Sequence, residues 1–427
     1  MAGHKGVQLS FTFLHAADLH LDTPFSDVSS FPPHVGTVLR EASLNAWDSL
    51  VDEASMRGVS FVLLAGDIYD GAERGLRAQR HFLEGLRRLD DEGIRTLIVH
   101  GNHDPVANGW SAIRSFPELV TVFPGGSVST ESFVVEGERV FVHGISYERS
   151  HTTENLALRF PTATTNGFHI ALLHANVGGG STGHEDYSPC SLDDLRRPGY
   201  QYWALGHVHS RRILNQRYPT VVYPGNLQGR SLRPTEQGAK GAVVVDVSGG
   251  VVGSPQFVAL DRVRFCDLSI SISDIEDMNE LLDGLASRAS PTLFEGRSLV
   301  VRATISGSGG LHHELQQRGK QAEALEELRR MGSSSDPFVW WQSLNWQTGP
   351  AMSSGNEKSF GVAHRDFADT LQRLAAATET EARNAWRDAL HASLISSATI
   401  LIDPQEDEFI WAEAQSLALS LLGNEGR

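Results

Sequence analysis

The stretch "VSFVLLAGDIYDG", residues 59–71, decides how the chain is read. An apolar run broken only by Ser60 stops at Gly66, and two acids follow, Asp67 and Asp70. The run is too short for an ordinary helix and is bounded by a turn signal, so it reads as a strand buried on both faces. Such strands belong inside α/β sheets. Ligands of those sheets gather beyond the carboxyl ends of the strands, where this chain places its acids.

The same pattern of strand then polar turn recurs on either side. "LSFTFLHAA", "IRTLIVHGNHD", "RVFVHGIS", "GFHIALLHAN", "YQYWALGHVH" and "TVVYPGN" repeat it, and "KGAVVVDVSGG" closes the region near residue 247. Between the first strands lie helical patterns. Leu39, Leu44, Trp47, Leu50 and Ala54 mark one face over residues 38–56, and "LRAQRHFLEGLRRLDDEG" runs to a stop at Gly93. The expected fold class is α/β with some parallel pairing.

After residue 260 the composition shifts. "RVRFCDLSISIS", a helical stretch over residues 274–289 and "RSLVVRATISG" suggest a small βαβ-like module. A helical run over residues 311–331 and the aromatic strand "FVWWQSLNW" follow. "QTGPAMSSGNEKS" reads as a linker, and the chain then reads as helical, with a helix start at Asp403-Pro404. The expected division is 1–260, 261–350 and 351–427, in line with a length of 427 residues.

Net charge is −16, which by itself repels nucleic acid, so any phosphate chemistry needs local positive charge. Two distant cysteines exclude a disulfide framework. No apolar run reaches the length of a membrane span, and the N-terminus lacks the long apolar region of a signal peptide. The expectation is a cytoplasmic protein with no membrane partner.

Five polar clusters stand directly behind strands: Asp18 and His20; Gly66, Asp67 and Asp70; Asn102, His103 and Asp104; His174; and His207 and His209. A lone Asp-x-His is more often a capping acid beside a surface histidine, and "GNHD" alone is an ordinary turn. Five such clusters in series behind apolar strands point instead to one shared metal site. Asp18, His20, Asp67, Asn102, His174, His207 and His209 supply two carboxylates, an amide and four imidazoles. Mixed nitrogen and oxygen donors suit Mn, Fe or Zn better than Ca or Mg. Two divalent ions about 3.5–4 Å apart, bridged by Asp67, would trap a phosphate and ionise a water for in-line attack. His103 is not needed as a ligand. It is the candidate general acid, with Asp104 expected to orient its imidazole.

The series D-x-H, G-D-x-x-D, G-N-H-D, H and G-H-x-H resembles the calcineurin-like metallophosphoesterase superfamily. Within it, "FLHAADLHLDTPF", "LLAGDIYDG", "VHGNHD" and "YPGNLQGR" are most similar to the SbcD-type DNA repair exonucleases of the YhaO-like branch. The resemblance covers roughly residues 10–247 and implies a β-sandwich flanked by helices, then a small α/β capping domain and a helical C-terminal region. It also implies manganese as the metal. One ion would be held by Asp18, His20, Asp67 and His209, the other by Asp67, Asn102, His174 and His207, with His103 as proton donor. The implied partners are DNA as substrate, an SMC-like coiled-coil ATPase on the C-terminal helices, and a second copy in a homodimer. Archaeal and eukaryotic repair nucleases carry a histidine where this chain has Asp70, which leaves exonuclease and endonuclease modes both open. Asp22 replaces a common glycine.

The remaining histidines have plainer readings. His15, His143 and His169 sit in strand runs and read as packed residues, and His100 reads as support for the GNHD turn. His184 lies in a polar loop that could line the substrate path. Trp340, Trp341 and Trp346 could stack on bases, but read first as strand core. A small-molecule phosphodiesterase shares all five clusters yet needs fewer residues. Protein phosphatases read G-D-x-x-D-R-G and G-N-H-E, where this chain has Gly71 and Asp104. A metal-free scaffold predicts missing ligands, and none is missing.

Overall fold

The computed structural model describes residues 10–350 apart from 22, 24, 26–30, 72–74, 108–110, 179–186 and 334–335. The helical region expected over 351–427 lies outside the described residues, as do Asp22 and His184. The first part of the chain runs β1 (Ser10–Ala16), α1 (Pro33–Arg57), β2 (Phe61–Ala65), α2 (Leu76–Asp91), β3 (Arg95–Val99), β4 (Val120–Val122), β5 (Ser129–Val135) and β6 (Glu138–Ile145). It continues with β7 (Phe168–His174), α3 (Leu192–Arg196), β8 (Tyr202–Gly206), β9 (Arg212–Asn215), β10 (Thr220–Tyr223), β11 (Gly241–Ser248), β12 (Val251–Val252) and β13 (Gln256–Ala259).

Two sheets form. One has the order β12-β11-β1-β2-β3-β4 with β13 on β11, the other β5-β6-β7-β8-β10-β9. β1 to β4 are parallel to one another, as are β6, β7, β8 and β10, so the turns after β1, β2, β3, β7 and β8 all leave from carboxyl ends. These are the five turns that carry the polar clusters.

The layers explain the unbroken apolar runs. Phe13, Phe61, Leu63 and Val99 from the first sheet meet Val142, Ile170, Leu172 and Ala204 from the second in one buried cluster. The other face of the first sheet, with Leu14, Val62, Leu64 and Ile98, buries Leu44, Trp47 and Leu50 of α1 and Phe82, Leu86 and Leu89 of α2. Each of these large side chains contributes about 1.5–3 kcal/mol when fully buried. A strand covered on both faces has no polar side to show, so periodicity disappears from β2.

The rest of the described chain holds β14 (Val263–Ser271), α4 (Met278–Phe294), β15 (Ser298–Gly309), α5 (His312–Leu315), α6 (Lys320–Gly332) and β16 (Val339–Pro350), with sheet order β14-β15-β16. By compactness the chain divides into two units. Of the described residues, one comprises those within 10–268, Ala286–Ala303 and those within 325–343, the other Ser269–Leu285, Thr304–Ala324 and 344–350. The single helical run expected over 311–331 is two helices, separated at residues 316–319. Trp340 and Trp341 are buried; Trp340 packs on Phe31 at 5.8 Å with the Arg329 guanidinium 4.6 Å above its ring. These two rings are core, not a base-stacking platform.

Two buried histidines give the fold an acid limit. His143 stacks on Tyr200 at 4.6 Å, and its Nε2 lies 3.0 Å from His169 Nδ1. Burial and the neighbouring His169 hold its pKa down to about 4. His15, beside the Tyr202 hydroxyl, is held to about 3 by burial, against an opposing contact from Leu205. Both rings are neutral in the fold, whereas in the unfolded chain they take a proton near 6.5. Stability is therefore complete above 6.5 and falls as pH drops toward 4 for His143 and 3 for His15, by about 1.4 kcal/mol per pH unit for each ring. Thermal unfolding from pH 7.5 to 5 should show a falling Tm, and His143→Gln should flatten the slope. An unchanged slope in the variant would remove His143 from this role.

Candidate metal centre

Four of the expected ligands stand on backbone that L-residues rarely adopt. Asp18 (φ 51°), His20 (φ 46°), Asp67 (φ 51°) and His207 (φ 100°) are all left-handed. Each such residue costs about 1–3 kcal/mol, and such strain persists only where the surroundings over-determine it. Here the turns lock one another. Asp18 N donates to Gly66 O at 3.0 Å, His20 N to Asp67 O at 3.0 Å, and His207 N to the Asp18 carboxylate at 3.1 Å. Glycines permit the approach. A Cβ at Gly206 would lie 1.8 Å from Ala65 O, and one at Gly101 would lie 2.2 Å from Asp67 Oδ1.

The donors converge. Asp18, His20 and His209 bring ligand atoms within 4.8 Å of one another, and so do Asp18, Asp67 and His174. His174 Nδ1 donates to Ala65 O at 2.9 Å, which aims Nε2 at Asn102 Oδ1 (3.0 Å) and Asp67 Oδ2 (3.3 Å). All three neighbours are acceptors, so in the protein alone this ring carries both protons. Burial would lower its pKa, but the charge and hydrogen bond of Asp67 outweigh burial and raise it to about 9. Burial likewise opposes ionisation of Asp67, yet His174 holds it well below the ordinary carboxylate range. Burial lifts Asp18 to about 6. His207 sets its ring edge-on to His174 at 5.3 Å.

On the other side, His209 Nε2 stands 3.2 Å from His20 Nε2, and His20 Nδ1 is buried without a hydrogen-bond partner. Burial and Arg230 keep His20 neutral, with its pKa well below the ordinary value. The buried Glu236 accepts from His209 Nδ1 at 2.5 Å, which leaves the His209 Nε2 lone pair facing inward. Two imidazole nitrogens in contact, beside two buried carboxylates, form a donor set that suits divalent cations. The structure thus brings together Asp18, His20, Asp67, Asn102, His174, His207 and His209.

His103 differs from all of them. Its side chain is 43% exposed, at the open side of the cluster, 5.1 Å ring to ring from His20. The expectation that Asp104 orients it is corrected by the structure. Asp104 is fully buried and spends its oxygens on the turn, accepting from Ile68 N (2.9 Å), Gly101 N (2.8 Å) and His100 Nδ1 (2.9 Å). Asp70 instead meets His103 Nδ1 at 2.5 Å. That hydrogen bond raises the His103 pKa against the effect of burial. Neighbours in sequence point to different sides of a tight turn, so the orienting acid came from another strand end. Asp70 stood in a recognised motif and was legible as a candidate. Glu236, in the polar segment "RPTEQG", carried no signal.

The calcineurin-like phosphoesterase family matches residues 11–211, and the middle domain of metallophosphoesterase YhaO matches residues 265–349. The uncharacterized metallophosphoesterase YhaO of Bacillus subtilis is 33% identical over 370 residues, covering 85% of this chain and 90% of its own length. This chain belongs to the calcineurin-like metallophosphoesterases. More distant relatives of this phosphoesterase include two archaeal DNA double-strand break repair proteins named Mre11. That of Thermoplasma acidophilum is 26% identical over 256 residues, 58% of this chain and 65% of its own; that of Aeropyrum pernix is 27% identical over 251 residues, 55% and 58%. The chain thus spans less than two thirds of either. Among the described residues, no helix of this phosphoesterase is long and apolar enough to cross a membrane.

Proposed function

We propose that this metallophosphoesterase is an SbcD-type nuclease that hydrolyses DNA phosphodiester bonds with two manganese ions. The observation that carries the reading is the pairing of a buried donor set from five strand ends with one solvent-facing histidine held by a carboxylate. Asp18, His20, Asp67 and His209 would hold one ion, and Asp67, Asn102, His174 and His207 the other. Bound there, the ions supply Lewis acidity toward the phosphate and a nucleophilic water. The chain supplies the rest. Asp67 lies between both donor groups. His103, kept protonated by Asp70, offers Nε2 to the leaving sugar oxygen, which departs poorly without a proton. Exposed Arg211 and Arg212 follow His209 after Ser210 and add positive charge to an acidic protein.

DNA is favoured over a small diester because the distant relatives are named as break repair proteins and because the chain continues well beyond the site. An SMC-like ATPase as partner, bound through residues 351–427, belongs to the same proposal. The purified protein with Mn²⁺ should degrade single- or double-stranded DNA and bis-p-nitrophenyl phosphate. Turnover of the small diester with none on either DNA would replace this reading with a small-molecule phosphodiesterase. Absence of hydrolysis with metal bound would replace it with a scaffold.

A further inference from the structure

A line of hydrogen-bonded and oppositely charged side chains runs from the histidine at the open side of the site to a histidine on its inner wall. His103 Nδ1 meets Asp70 Oδ1 at 2.5 Å, and Asp70 Oδ2 takes a 3.4 Å contact from Arg230 Nη1. Arg230 Nε stands 3.9 Å from Glu236 Oε2, which also accepts from Arg230 N at 2.9 Å, and Glu236 Oε1 meets His209 Nδ1 at 2.5 Å. The order is His103, Asp70, Arg230, Glu236, His209. Arg230 stands at the centre and, of these five residues, is the one with a permanent positive charge. Its side chain is 17% exposed, and its Nε is buried without a hydrogen-bond partner.

We propose that Arg230 is a positioning residue that sets the proton donor His103 and the ligand His209 as one unit, through Asp70 and Glu236. This rests on the two-metal phosphodiesterase reading. The argument is geometric. Asp70 and Glu236 each orient a histidine with one oxygen and face Arg230 with the other. Without a cation between them, two carboxylates in a half-closed site repel, and each can swing away from its histidine. A planar guanidinium serves two carboxylates from one position, which the single ammonium of lysine does not. Asn226 Nδ2 at 3.0 Å and the backbone N–H of residue 230 at 2.9 Å also hold Glu236 and survive a side-chain change, so the loss of the guanidinium loosens this carboxylate without freeing it.

The consequence is a residue that touches neither proton nor metal yet changes the behaviour of both. The test uses the full chain and two substrates with different leaving groups. The dinucleotide TpT departs as an alkoxide and needs the proton from His103. Thymidine p-nitrophenyl phosphate departs as a stabilised phenolate and does not. In Arg230→Met, kcat on the dinucleotide should fall tenfold to a hundredfold relative to kcat on the aryl ester, the usual cost of losing an outer partner, about 10–100-fold. Mn²⁺ titration by calorimetry should show one of the two sites weakened by a similar factor. Arg230→Lys should fall between, and it is the variant read if circular dichroism shows Arg230→Met unfolded. A wild-type ratio of the two rates, or two unchanged Mn²⁺ isotherms, would overturn the proposal. If the wild-type protein hydrolyses neither ester with Mn²⁺, the phosphodiesterase reading itself fails.

Discussion

His103→Ala is expected to leave both metal sites filled and to stop turnover of DNA. The side chain is the exposed member of the cluster, and its removal takes no donor from the buried set. The backbone N–H of residue 103, which donates to Asp67 Oδ1 at 3.0 Å, survives in alanine. Folding and metal binding therefore persist, while the leaving sugar oxygen loses its proton source. General-acid loss costs roughly 10²–10⁴ in rate. The loss should be much smaller for bis-p-nitrophenyl phosphate, whose leaving group needs no proton. Equal losses on DNA and on the aryl diester, or a variant that binds no Mn²⁺, would move His103 from proton donor to structural or ligand role.

Asp67→Asn should have the opposite signature, with both ions lost and every substrate affected alike. The change is nearly isosteric, so the turn can form, but the charge shared by both halves of the site disappears. Asp67 lies 3.3 Å from His174 Nε2 and 3.9 Å from His20 Nε2. Removing one partner of a buried charge pair costs about 3–5 kcal/mol, or roughly two to four orders of magnitude in affinity for each ion. Calorimetric Mn²⁺ titration reads this directly. A variant that keeps wild-type affinity at either site would exclude Asp67 as the bridge. The same substitution should lower the raised pKa of His174, because against burial Asp67 lifts it most, ahead of Asp18 and the Ala65 carbonyl. Proton NMR of the metal-free variant would show that ring titrating at lower pH than in the wild type.

Much of this protein is legible before any coordinates. The run from Val59 to Ala65 has no polar face, and the structure buries it between a sheet and two helices. The five turns carry the acids, the amide and the imidazoles because strand ends are the places where polar side chains can face a ligand without breaking a core. Helix α1 follows from Leu39, Leu44, Trp47 and Leu50, all buried as their spacing demands. These features depend on local patterning of apolar and polar residues, and that patterning is written in the chain.

The partners of the chemistry are another matter. Asp104 lies beside His103 in sequence, yet its oxygens hold the backbone of the turn, and Asp70 from the next strand end holds the imidazole. Glu236 lies 27 residues beyond His209 in a segment with no motif, yet it fixes which nitrogen of that histidine faces the metal site. The left-handed backbone at Asp18, His20, Asp67 and His207 has no local cause either; it is held by hydrogen bonds between turns far apart in the chain. Strand and turn identity respond to near neighbours and to burial, so the sequence by itself determined the fold class and the candidate ligands. Side-chain pairing across turns depends on which strand ends the parallel sheets bring to one edge. Only the closed tertiary structure decided that Asp70 and Glu236, linked by Arg230, would aim the two histidines.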